Sequence, residues 1–337
     1  MRARSLRFAP VIAAAVAALV VLSGCSAATP TASTTPAASS SVDTMFGKVD
    51  VPAASSTLKV VALGWSDAEM ALALGVKPIA VYDWQGFGAE NKGVGSWATS
   101  LFGDVTPEII QRGTDSLNYE SIEVLDPDLI LNVRSGNDEK EFERLSQIAP
   151  TVYAPTGTGA YAISWDAQMT SVAAALGMQD KGADIIKDVD AKITAAKDAN
   201  PEFAGLTTAA ATKFGDAYGA YLPGDGRFDI LADLGFVNNP AITNLKASGF
   251  YADVSAENVS AFDADVMVMI PIGYTSAEVA ADPLLKSLSV VKDDRSVFID
   301  PTTELSGAYS AASVLSIPVV LDQLVPELKA AAAKVAK

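Results

Sequence analysis

Short apolar runs alternating with helical periodicities set the pattern of this chain. Residues 59–63 (Lys-Val-Val-Ala-Leu) read as a strand that hands over to Gly64 and Trp65. A helical pattern covers residues 67–74 and stops at Gly75, because glycine takes the left-handed conformation that ends a helix at no steric cost. Pro78 opens a second strand-like run over 79–82, and residues 128–133 and 151–153 supply two more after helical stretches. In the second half, residues 208–212, 266–270 and 296–299 repeat the theme. Strands apolar on both faces and alternating with helices predict an α/β fold with open parallel sheets covered on two sides.

The longest helical signal lies between the halves. It begins near Asp180, carries Ala183, Ile186, Val189, Ile193 and Ala196 on one face, and ends at Asn200-Pro201. There the proline excludes the α conformation from the residue before it. A weak internal repeat relates the halves. Residues 120–131 (Glu-Ser-Ile-Glu-Val-Leu-Asp-Pro-Asp-Leu-Ile-Leu) align without gaps on 257–268 (Glu-Asn-Val-Ser-Ala-Phe-Asp-Ala-Asp-Val-Met-Val). Asn118 and Ser255, two positions before each glutamate, are capping residues, so Glu120 and Glu257 fall in first helical turns. The positive end of the helix dipole favours an acid there, which is reason enough for both residues.

The N-terminus adds an export signal. Arg2, Arg4 and Arg7 precede a run over 9–22 that is apolar apart from Pro10, too short for a membrane span. Leu22-Ser23-Gly24-Cys25 follows and looks like a bacterial lipobox, in which the Cys25 thiol takes a diacylglycerol. Residues 26–41 are all Ser, Ala, Thr or Pro, a composition that cannot bury a core and reads as a flexible tether. The expected layout is a leader over 1–24 and a lipidated cysteine with its tether over 25–57. An N-terminal lobe over 58–178, a connecting helix over 179–200 and a C-terminal lobe over 201–337 follow.

Composition then narrows the chemistry. Of 24 basic residues three leave with the leader, so 21 face 40 acidic ones and the mature net charge is −19. Such a chain does not bind nucleic acid or adhere by charge to anionic lipid. Cys25 is its only cysteine and it has no histidine. Histidine-based hydrolase triads and the usual zinc, copper and haem ligand sets are excluded. Binding is expected rather than catalysis, with no cofactor of the protein's own.

Several segments resemble the substrate-binding proteins of iron–siderophore and cobalamin ABC importers. They are residues 60–65 (Val-Val-Ala-Leu-Gly-Trp), 74–78 (Leu-Gly-Val-Lys-Pro), 125–131, 145–152 (Leu-Ser-Gln-Ile-Ala-Pro-Thr-Val) and 231–236 (Leu-Ala-Asp-Leu-Gly-Phe). Residues 64–69 with Tyr82-Asp83-Trp84 are most similar to the actinobacterial iron–siderophore branch. The resemblance implies two Rossmann-like lobes joined by a single long rigid α-helix, the class III periplasmic-binding-protein fold, with ligand held between them. It implies a monomer, anchored by lipid to the outer face of the membrane, that captures a ferric siderophore and delivers it to an ABC permease and its ATPase. It also implies that Glu120 and Glu257 dock on the permease.

Ligands of parallel α/β sheets sit beyond the C-terminal strand ends. That rule selects Trp65, then Asp83 and Trp84, then Arg134. In the second lobe it selects Lys213 and Phe214, Gly273 and Tyr274, and residues 304–309. A bulky chelate needs flat aromatic walls and a few cations. Trp65, Trp84, Trp97, Trp165, Tyr218, Tyr221, Tyr274 and Tyr309 are candidates for the walls, and Arg134, Lys213 and Arg227 for the charge. Each has an ordinary alternative. Trp97 and Trp165 suit a core, Arg134 suits an ion pair with Asp138 or Glu139, and Arg227 follows the turn signal Gly224-Asp225-Gly226. Residues 214–221 read as a loop lining. The scarcity of arginine tilts the ligand toward a near-neutral hydroxamate or mixed chelate. Cobalamin or haem in the same family and a lipid-anchored surface enzyme are the alternatives, and a structural adhesin is disfavoured.

Overall fold

The structure is a computed structural model and describes residues 40–111 and 117–335. Cys25, the leader and the tether up to residue 39 lie outside them. The described chain opens with an antiparallel hairpin of β1 (Ser40–Thr44) and β2 (Gly47–Val51). This corrects the expectation of a flexible tether running to residue 57. Val42, Thr44 and Val51 are buried. Phe46 at the turn stacks on Phe142 at 4.7 Å and meets Tyr153 edge-on at 5.1 Å. A period of two takes over from the Ser/Ala/Thr run at Val42, and burying that face fixes the hairpin on the body.

The first lobe continues through β3 (Val60–Ala62), α1 (Asp67–Ala73), β4 (Ala80–Tyr82), α2 (Ser96–Thr99) and β5 (Glu108–Ile110). Then come α3 (Tyr119–Val124), β6 (Leu129–Leu131), α4 (Glu139–Ser146), β7 (Thr151–Val152) and α5 (Trp165–Ala175). The sheet runs β5-β4-β3-β6-β7 and is parallel throughout. Its central strands are buried on both faces, as their unbroken apolar sequences require.

One helix, α6 (Gln179–Asp198), leads to the second lobe and spans about 30 Å at 1.5 Å per residue. Gly182 lets it lie close against α5, because a Cβ there would stand 2.5 Å from the Ala173 Cβ. The second lobe begins with β8 (Thr207–Phe214), β9 (Ala217–Tyr221), α7 (Gly226–Asp233), β10 (Val237–Asn238), α8 (Pro240–Thr243), β11 (Ala247–Ser248) and β12 (Tyr251–Val254). It continues with β13 (Val266–Ile272), α9 (Ser276–Ala280), α10 (Pro283–Ser287), α11 (Ser289–Lys292), β14 (Ser296–Phe298), α12 (Glu304–Ala311) and α13 (Ile317–Ala332). Its sheet runs β11-β12-β9-β8-β13-β14, with β10 beside the start of β8.

This second sheet is mixed, a departure from the expected parallel one. β9 and β12 are antiparallel to their neighbours, so residues 214–221 form half of a hairpin where a loop was expected. Gly215, at φ 51°, makes the turn. One continuous core runs from Val60 and Leu131 through Val189 and Ile193 of α6 to Val268 and Leu324. Sharing that core ties α6 to both lobes.

The internal repeat has a structural counterpart. Asp128 accepts the Lys59 N–H ahead of β3, and Asp265 accepts the Thr207 N–H at the start of β8, each at 2.8 Å. Glu120 sits in the first turn of α3, where Asn118 caps Ser121 at 3.2 Å. Glu257 sits in the first turn of a 3-10 segment, Ala256–Phe262. Both are exposed. No helix among the described residues is long and apolar enough to cross a membrane.

Candidate ligand cleft

A cleft of about 920 Å³ lies between the strand ends of the two sheets. Its first wall is built on the turn after β3. Gly64 is required there, since a Cβ would fall 2.2 Å from the Asp67 Oδ2. Ser66 takes a left-handed conformation, φ 63°, unusual for a residue with a side chain. That conformation turns its Oγ to donate to the Ala311 carbonyl of the other lobe at 2.9 Å. Trp65 is fixed at both backbone ends, by its N–H donating to the Arg134 carbonyl at 2.8 Å and by Gln168 Nε2 donating to its own carbonyl at 2.7 Å.

The Trp65 ring is sandwiched. Trp84 stacks on it at 4.4 Å and 8°, and Tyr161 at 4.1 Å and 28°. Phe250, from the second lobe, meets its edge at 5.7 Å. The outer face of Trp84 and the edge of Trp65 therefore face the cleft. Asp83 shapes the next loop by accepting the Phe87 and Gly88 N–H groups, both at 2.8 Å. Phe87 packs edge-on against Trp97 at 5.7 Å.

Two buried carboxylates stand behind this wall. Asp67 accepts from Gln168 Nε2 at 2.6 Å and from the Val133 N–H at 2.7 Å. Burial outweighs those bonds and pushes its pKa up to about 6. Glu69 accepts from Trp97 Nε1 at 2.8 Å and from the Ser313 hydroxyl across the lobes, and burial raises it as well.

The floor is ionic. Asp225, fully buried, accepts Arg227 Nε at 2.7 Å and Nη2 at 2.6 Å, and Arg134 Nη2 at 3.3 Å from the other lobe. Burial pulls the Asp225 carboxyl up, but the two guanidinium charges hold it below its ordinary range. The Arg227 guanidinium lies over the Tyr221 ring at 3.6 Å and over Phe250 at 5.6 Å.

Of the residues selected from sequence, Trp65, Trp84, Trp97, Phe214, Tyr221, Arg227, Gly273 and, from 304–309, Glu304, Ser306 and Gly307 line the cleft. The structure places Arg134, Lys213, Tyr218, Tyr274, Trp165 and Tyr309 elsewhere. Arg134 is 1% exposed and forms its ion pair with Asp225, neither with Asp138 or Glu139 nor with open cleft. Lys213 lies between Thr212 and Phe214, both cleft-lining, so strand alternation turns it to the opposite face. There it pairs with Asp282 at 3.1 Å and lies over Tyr218 at 4.2 Å and Tyr274 at 5.5 Å. Those three candidates therefore come together, but away from the cleft. Trp165 is in the core and borders a separate cavity of about 310 Å³. Tyr309 is buried in α12, its hydroxyl donating to the Arg227 carbonyl at 2.6 Å. Phe87, Phe250 and Tyr251 line the cleft from loops or loop edges that sequence reasoning passed over. Phe87 and Phe250 carried only the signal of an aromatic beside glycine, and Tyr251 only its place after Phe250.

These features define a two-lobe binding protein, and comparison with known proteins gives its family. The chain belongs to the periplasmic binding protein family, whose pattern matches residues 60–303. It is 29% identical over 217 residues to Petrobactin-binding protein YclQ of Bacillus subtilis, covering 61% of this chain and 66% of that one. It is 26% identical over 271 residues to the protein named Probable siderophore-binding lipoprotein YfiY of the same organism, covering 76% and 79%. A solved periplasmic solute binding protein from Mycobacterium smegmatis superposes with TM-score 0.74 at 32% identity, over 87% of this chain and 99% of that one.

Proposed function

We propose that this protein captures a ferric siderophore outside the cell and delivers it to an ABC permease driven by its ATPase, while a lipid on Cys25 keeps it at the membrane. The observation that carries the reading is the cleft itself. Aromatic rings from both lobes wall a space large enough for a bulky chelate. Among the described residues, one guanidinium, that of Arg227 over the Tyr221 ring, is the only cation lining it. With no histidine and one cysteine in the chain, iron held here arrives with its own oxygen ligands. The names of YclQ and YfiY point the same way. Glu120 and Glu257, exposed at equivalent places in the two lobes, are the proposed permease contacts.

Tryptophan fluorescence tests capture, because Trp65, Trp84 and Trp97 line the cleft. Saturable quenching by a ferric siderophore, with none by an iron salt, is expected. Absence of quenching by hydroxamate, catecholate and mixed chelates alike would sink the reading. Glu120→Lys and Glu257→Lys should each abolish uptake into cells while leaving that quenching intact. Loss of both together would show the two glutamates to serve fold or ligand.

A further inference from the structure

We propose that the cleft selects a ferric chelate without net negative charge, of the trihydroxamate kind, and discriminates against trianionic tris-catecholate iron. This rests on siderophore capture and names the ligand class within it. Ferric iron with three monoanionic hydroxamates is neutral, whereas with three dianionic catecholates it carries a threefold negative charge. A cleft walled by aromatic rings must match that charge with cations or reject it.

The residues lining this one include two charged groups, Arg227 and Glu304, whose formal charges cancel. Arg227 is already engaged, since two of the five N–H donors of its guanidinium are given to Asp225. The cation behind it, Arg134, shares the same carboxylate and gives Nη1 to the Ala311 carbonyl at 3.0 Å. Glu304 is held at the rim by Ser96 Oγ and Gln323 Nε2. Asp67 and Glu69 lie buried behind the aromatic wall, so the layer beneath adds acid rather than base. Lys213, on the far face of β8, is spent on Asp282. Among the described residues, what remains toward the ligand is neutral. The Thr302 and Thr303 hydroxyls are given to Asp300, but the Ser306 hydroxyl and the second N–H of the Gln85 amide, whose first goes to the Gly307 carbonyl, lie among the rings and suit the carbonyl and amide oxygens of a neutral chelate.

Fluorescence titration with ferrichrome, a neutral trihydroxamate chelate, and ferric enterobactin, a trianionic one, tests the proposal. Ferrichrome is expected to bind at least about a hundredfold more tightly, with an affinity nearly independent of salt. Glu304→Gln, and separately Asp225→Asn, each remove one negative charge from the cleft region. Each should raise the affinity for ferric enterobactin relative to ferrichrome by about tenfold. Glu304 is exposed, so its variant keeps the test valid where Asp225→Asn fails to fold. Equal or tighter binding of the trianion by the wild type overturns the charge selection and leaves siderophore capture standing. An unchanged affinity ratio in Glu304→Gln overturns the electrostatic cause. Binding of neither chelate, nor of any mixed type, overturns capture and this proposal with it.

Discussion

At the scale of single residues the cleft separates side chains that meet the ligand from side chains that hold them in place. Trp84 presents an outer ring face to the cleft, whereas Trp65 is covered on both faces and 5.7 Å from the Arg134 guanidinium. Trp84→Ala is therefore expected to weaken chelate binding by on the order of 2 kcal/mol, about thirtyfold in Kd, by removing a flat apolar wall. Trp165→Phe should lower the melting temperature and leave Kd within about twofold, because that ring fills core rather than cleft. Titration and melting of both variants check this, and an unaltered Kd in Trp84→Ala would refute the assignment. The positional rule that ligands lie beyond strand ends found Trp65 and Trp84 because each directly follows a buried strand. It failed at Lys213 for want of two residues. Ending the strand at Thr212 hid the parity that, with the strand carried to Phe214, sends Lys213 to the other face. Phe250 carried no signal beyond an aromatic ring after Gly249, since its place depends on a loop crossing to Trp65 of the other lobe.

At the scale of elements, the strongly periodic pieces were legible and the edges were not. The helix expected from near Asp180 to Asn200 runs Gln179–Asp198, because a long amphipathic pattern closed by Asn-Pro leaves little freedom. The hairpin Ser40–Val51 was hidden by its neighbourhood, a low-complexity run whose composition reads as tether up to Ser41. The antiparallel β9 was hidden because it sets small residues among its tyrosines, Ala-Tyr-Gly-Ala-Tyr, without an apolar run. The α5–α6 contact gives a test. Alanine is ordinarily worth about 1 kcal/mol more than glycine within a helix. At Gly182, however, an added Cβ stands 2.5 Å from the Ala173 Cβ, well inside contact distance. Gly182→Ala should therefore melt at a lower temperature than the wild type, the helix having to move off its neighbour. A higher melting temperature would mean that α6 is free to shift and does not brace the lobes.

At the scale of the whole molecule, the buried acids make stability depend on pH in a direction opposite to that of an ion-paired carboxylate. Asp229 on α7 has its pKa pushed from an ordinary 3.8 up to about 7 by burial, which outweighs the Gly224 N–H bond, with the neighbouring Asp225 and Asp233 charges adding to the rise and Arg134 opposing it. Asp67 is pushed up to about 6. In each case the folded state binds a proton that the unfolded chain has released, so stability falls as pH rises through the window between the ordinary and the shifted values. Asp225 acts the other way, since its depressed carboxyl contributes stability that is lost only as acid protonates it. A net charge of −16 adds self-repulsion that also eases on the acid side of neutrality. The melting temperature at fixed ionic strength should thus rise as pH is lowered from about 8 to about 5, and decline once Asp225 is titrated. Asp229→Asn is close to isosteric, and its amide oxygen can still accept the Gly224 N–H, a 2.9 Å bond in the wild type. The variant should flatten the upper part of that rise, above about pH 6, and lessen without abolishing the lower part, where Asp67 still contributes. A variant that keeps the full slope would place the linked protons elsewhere and remove Asp229 from the account.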